Sequence, residues 1–191
     1  DMPAPKSELV QNITIAAALA RTESLHGDQL ALVSRHQGIR WNWHALLNAA
    51  RSIAQGLYSL GLVPGDRIGV WSANCAEWVA LQYACAISGI VLVNVNTAYR
   101  SHELSYVLNL SRIRALILQE QDVHANYRQI LDEALARTPC LLEHAIYIGS
   151  NHWNDIASTP PEAPGHVPQP EDVANIQYTS GTTGSPKGVL L

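Results

Sequence analysis

Short aliphatic, β-branched runs alternate with segments of helical period along most of this chain, and the links between them are short. Arg67–Trp71, Ile90–Val95, Arg114–Gln119 and Glu143–Gly149 read as buried strands. Helical patterns fall between them at Asn74–Ser88, Ser101–Arg112 and Val123–Arg137. Strand, helix, strand in close succession predicts an α/β fold, a layered, mostly parallel sheet covered by helices. Ahead of these, Ile13–Ser24 reads as a helix, and Leu30–Ser34 and Ile39–Trp43 read as a hairpin turning at His36-Gln37-Gly38. Asn42 is placed to cap a helix over His44–Leu60, whose apolar residues Leu46, Ala50, Ile53, Leu57 and Leu60 share one face. Gly61 and Gly89 stand where left-handed helix stops are wanted, and Pro64-Gly65-Asp66 makes a turn.

The pattern divides the chain into an α/β portion over 1–149, a Pro-rich connector over 150–170 and a closing strand, loop and strand start over 171–191. Pro160, Pro161, Pro164, Pro168 and Pro170 make the connector an expected extended surface crossing. Composition excludes several function classes. Lys and Arg number 12 against 16 Asp and Glu, so the net charge of −4 offers no basic excess for nucleic acid. The most apolar stretch, Val79–Val95, is interrupted by Gln82, Ser88 and Asn94 and is too short for a bilayer span. Cys75, Cys85 and Cys140 form no CxxC pair, which predicts reduced thiols in an intracellular compartment. Cytoplasm, mitochondrial matrix and peroxisome fit that equally. No basic segment followed by an apolar one opens the chain, so no secretory signal is expected, and a start at Asp1 suggests a fragment or a processed product.

Chemistry concentrates in Tyr178-Thr179-Ser180-Gly181-Thr182-Thr183-Gly184-Ser185-Pro186-Lys187-Gly188. Gly181, Gly184 and Gly188 let the backbone turn sharply and bring N–H groups close to an anion. Thr179, Ser180, Thr182, Thr183 and Ser185 add hydroxyl donors, Pro186 stiffens the approach, and Lys187 adds a mobile positive charge. This is a phosphate cradle. It is not a Walker A loop, which needs Gly before the Lys and Ser or Thr after it. Val189-Leu190-Leu191 reads as a strand, so the loop is expected between two strands. A flexible Ser/Gly/Thr hairpin is the bland alternative, and the order of the positions with a closing Pro-Lys-Gly disfavours it. Elsewhere the chemistry is thin. None of the eight His forms HExxH, and Ser180 lies outside GxSxG because Tyr178 stands at the first Gly. The His are read as surface or capping residues, Trp71, Trp78 and Tyr83 as packing, and Cys75 and Cys85 as core thiols. No metal site and no catalytic residue is read from the chain.

The loop resembles the phosphate-binding signature of the AMP-forming adenylating enzymes, the superfamily of acyl-CoA synthetases, luciferases and peptide-synthetase adenylation domains. The resemblance extends upstream in order. Ile39–Leu46 is similar to an early segment with Tyr-x-Glu-Leu, although His44-Ala45 replace the acidic pair. Gly65–Val70 with Asn74 and Glu77-Trp78 resembles the next block, and Ser88–Asn96 with Glu103-Leu104 the one after, where Asn96-Thr97 replaces Asn-Pro. Asn94–Arg100 and Ile176–Thr179 look most like fatty-acyl-CoA synthetases of short to medium chain length. The resemblance implies the N-terminal part of the large adenylating domain, with the rest of that domain and a C-terminal lid domain outside this chain. It implies ATP, Mg²⁺, CoA and a small carboxylic acid as cofactors and substrates, with Thr179 to Lys187 on ATP. It implies too that the lysine assisting adenylation lies downstream and is not Lys187, so that the isolated chain is inactive. Two other readings stay open: an ATP-binding module without catalysis, and an α/β interaction domain. Uncovered sheet edges predict self-association of the isolated chain.

Overall fold

A computed structural model describes residues 13–162, 165–179 and 186–191. Thr14 caps α1 (Ile15–His26), its side chain accepting from the Ala17 amide. The ribbon of β1 (Leu30–Ser34) and β2 (Ile39–Asn42) is antiparallel, and Asn42 caps α2 (Trp43–Ser59) through the Ala45 amide. Next come β3 (Arg67–Trp71), α3 (Ala76–Ser88), β4 (Val91–Asn94), α4 (Ser101–Leu110), β5 (Ile113–Leu118), α5 (Tyr127–Arg137) and β6 (His144–Tyr147). The described chain closes with α6 (Asn151–Ala157), β7 (Asn175–Thr179) and β8 (Lys187–Leu190).

Six strands form one sheet in the order β6-β5-β3-β4-β7-β8, with every pair parallel except β7 and β8. The central strands β3, β4 and β5 are buried on both faces, which is why they read as continuous apolar runs. Alternate residues separate the two cores. Ile68, Val70, Leu92, Ala115 and Ile117 pack with α2, α3 and α6 on one face. Trp71, Val91, Val93, Leu116 and Leu118 pack with α4 and α5 on the other. The loop after β3 therefore leads to one face and the loop after β4 to the opposite face.

Four local readings are corrected. The connector is not extended throughout. Ser150 caps α6, and Trp153 and Ile156 enter the core beside Gly56 of α2. Seven residues are too few for a stable isolated helix, so burial of those two side chains holds it, at about 1.5–3 kcal/mol for an Ile. Second, α3 starts at Ala76 rather than at Asn74, because the Ala76 amide is taken by the Gln37 side chain at 2.8 Å. Third, α5 starts at Tyr127 rather than Val123. The Asp122 carboxylate accepts from the His124 and Ala125 amides and makes a turn, and Asn126 becomes the cap. Fourth, Ser101 is the first residue of α4, and Arg100 precedes it as the cap, its amide donating to Glu103 at 3.1 Å.

Candidate functional site

Parallel pairing with β4 aims the end of β7 at the carboxyl edge of the sheet, where ligands of open α/β folds bind. There the chain turns and returns antiparallel as β8. Thr179 stands directly opposite Lys187, and Tyr178 opposite Gly188. The loop is thus flanked by two strands, as its sequence predicts. Directly opposed residues project on the same face of a hairpin, so the Thr179 hydroxyl and the Lys187 ammonium share one face, and both residues are exposed. Pro186 immediately precedes β8. Ser180, Gly181, Thr182, Thr183, Gly184 and Ser185 lie outside the described residues.

On the other face, the Tyr178 ring lies over Gly188. A Cβ at Gly188 would stand 3.2 Å from Ile176 Cγ2 and 3.5 Å from Tyr178 Cζ. Close approach to an anion was the sequence-based reason for glycine at 188, and the structure supplies a packing reason. The Tyr178 hydroxyl reaches Ser111 Oγ at 2.6 Å, just past the end of α4. Burial pushes the Tyr178 phenol up, against the opposing pull of Ser111. Ser111 is fixed in turn. Its amide donates to the Val107 carbonyl, and its own carbonyl accepts from Arg67 Nε at 2.8 Å.

Beside the hairpin, the divergent loops after β3 and β4 open a crevice of about 490 Å³. Ser72, Asn74, Trp78, Asn94, Asn96 and Gln177 line it with neutral polar groups. Its position is a topological switch point, where adjacent strands send their connections to opposite faces. Trp71 anchors the far loop, donating from Nε1 to the Asn96 carbonyl at 3.1 Å while packing edge-on against Tyr127 at 4.6 Å. Trp78 Nε1 and Asn94 Oδ1 are buried without a hydrogen-bond partner among the described residues. Neither atom is exposed to the crevice, and Asn175 Oδ1, outside it, is buried without a partner in the same way. Sequence reasoning missed this region. Trp78 reads as packing, and it does pack against the core. The available signal was Asn94, an amide closing an otherwise aliphatic strand.

Among the described residues no three His, Cys, Asp or Glu gather to hold a metal. His44 Nδ1 meets Glu23 at 2.6 Å and His166 Nε2 meets Asp172 at 3.3 Å, both at the surface. Cys85 is buried, and burial raises its thiol pKa, whereas Cys75 is only partly buried at the start of α3. No helix of the described residues is long and apolar enough to cross a membrane.

Comparison with known proteins points the same way as the hairpin. The family profile described as AMP-binding enzyme matches residues 19–191. The medium-chain acyl-CoA ligase ACSF2, mitochondrial, of Bos taurus is 34% identical over 95% of this chain and 34% of its own length. The acyl-CoA ligase sidI of Aspergillus fumigatus is 30% identical over 94% of this chain and 33% of its own. The structure of a Mycobacterium tuberculosis fatty acyl CoA synthetase superposes with a TM-score of 0.82 at 25% identity, over 93% of this chain and 34% of that one. The chain spans about a third of the length of these relatives. By the extent of the profile match and the shared fold, this chain belongs to the AMP-binding enzyme family.

Proposed function

We propose that the protein carrying this chain is an ATP-dependent acid–thiol ligase. A carboxylate oxygen attacks the α-phosphorus of ATP, the bond to the β-phosphate oxygen breaks, and pyrophosphate leaves. The thiol of CoA then attacks the acyl carbon and AMP departs. Thr179, Ser180, Gly181, Thr182, Thr183, Gly184, Ser185, Pro186 and Lys187 are the residues assigned to ATP. Negative charge grows on the leaving pyrophosphate, and donors already aimed at it lower the barrier without reorganising. Lys187 supplies positive charge and Thr179 a hydroxyl from the facing strand. Mg²⁺ bound with ATP would neutralise part of the same charge. The carrying observation is the opposition of Thr179 and Lys187 at the carboxyl edge of the parallel sheet. One relative, a medium-chain acyl-CoA ligase by name, supports an acid of medium chain length, and the name of the Mycobacterium tuberculosis fatty acyl CoA synthetase supports a fatty acid. Three free cysteines support a reducing intracellular compartment, and one relative is mitochondrial by name.

Pyrophosphate release by the native protein across carboxylic acids of increasing chain length tests the reading. Release that depends on both ATP and acid, and falls at least about tenfold in Lys187→Ala, is expected for loss of a charge-assisted contact. ATP binding without release under any acid would leave an ATP-binding module instead. A polypeptide of these 191 residues alone is expected to release no pyrophosphate, since relatives performing the ligation are about three times as long.

A further inference from the structure

Thr179 and Lys187 can serve one phosphate chain only if the strands carrying them keep their place. β8 is exposed along its length and offers little packing of its own. We infer that Tyr178, acting through Ser111, is a positioning residue for nucleotide binding: its hydroxyl bond to Ser111 ties the β7–β8 hairpin to α4 and so fixes Thr179 and Lys187. This rests on the ATP reading above.

Three observations carry it. The bond joins side chains 67 residues apart at 2.6 Å, and Ser111 is buried. The anchor is not free to move, because Arg67 of the central strand β3 holds the Ser111 carbonyl at 2.8 Å and reaches the Arg112 carbonyl. The Tyr178 ring also covers Gly188, so one side chain touches both strands one residue short of the Thr179–Lys187 pair. Tyr178 and Gly188 face away from Thr179 and Lys187, so Tyr178 contacts no phosphate and acts through the hairpin.

The experiment uses the native protein with Tyr178→Phe, Ser111→Ala, the double variant and Lys187→Ala. ATP affinity is measured by calorimetry, KM separately for ATP and for the acid, and melting by circular dichroism. Tyr178→Phe keeps the ring and removes only the hydroxyl. It and Ser111→Ala should each weaken ATP binding and raise KM for ATP about three- to tenfold, the range for one net hydrogen bond. KM for the acid should not change, and the double variant should be no worse than either single one. Wild-type ATP affinity in both single variants overturns the inference, as does an equal rise in both KM values with a lowered melting temperature. Failure of the wild type to bind ATP, or binding that ignores Lys187→Ala, defeats the ATP reading and the inference with it. Sensitivity to Lys187→Ala alone defeats only the inference.

Discussion

A methyl group at position 56 has nowhere to go. A Cβ there would stand 2.5 Å from the Ile156 carbonyl oxygen and 2.7 Å from its Cγ2. Gly56→Ala raises helix propensity, yet it should destabilise by about 1–3 kcal/mol because α6 must back away. A lower urea midpoint checks this, and an unchanged or higher one would refute the contact. Arg112 is the opposite case. It holds a left-handed φ of 51° just past α4, where a side chain is strained. Arg112→Gly should leave stability unchanged or raise it by up to about 1 kcal/mol, read from the same midpoint. Neither effect is legible in the sequence. Gly56 looks like a weak point in a helix, and its reason arrives from a segment 100 residues later. Gly89 is the legible kind: it ends an apolar helical run, and it does adopt φ 70° at the end of α3.

At the scale of elements, boundaries set by neighbouring residues were legible and boundaries set from afar were not. Asn42 before α2 and the limits of β1 and β3 follow from local pattern. The start of α3 depends on Gln37, and α6 depends on the α2 surface, so neither shows in its own sequence. Charged contacts between elements follow the same rule. Arg114 on β5 bridges Asp66, in the turn before β3, and Glu143, which stands before β6 at 2.7 Å. The guanidinium holds the Glu143 carboxyl below its usual range. Glu143 then binds its proton less readily folded than unfolded. Its stabilisation is present above about pH 4.5, its ordinary value, and is lost as pH falls through the depressed one. Glu143→Gln should therefore flatten the acid side of the stability curve, measured as urea midpoints between about pH 6 and pH 3. The Asp122 carboxyl, held low by the Tyr127 hydroxyl and two amides, supports the α5 turn in a more acid window, in full above its ordinary value of 3.8 and lost as pH falls through the depressed one.

For the molecule as a whole, the sheet and its two covered faces were legible because parallel strands are apolar on both sides. The strand order was not, since nothing in Asn175–Thr179 says that it joins β4 rather than β6. Of the candidate site, the loop's residue types were legible, whereas the crevice between β3 and β4 exists only through topology. β8 forms one edge of the described sheet, with Val189, Leu190 and Leu191 at 43%, 62% and 65% exposure. A polypeptide of these 191 residues should pair through that edge, and Val189→Lys should shift its sedimentation toward monomer. A monodisperse monomer without the substitution would refute this. The strand order also carries a consequence in time. β4 ends at Asn94, and its partner β7 begins at Asn175, roughly 80 residues later. At about 5–20 residues per second, a ribosome needs roughly 4–16 s to make that stretch. Throughout that interval Val91, Leu92 and Val93 lie on the unpaired aliphatic edge of the growing sheet. Synthesis speed between the two strands therefore sets how long the nascent chain stays open to chaperones and to misassembly.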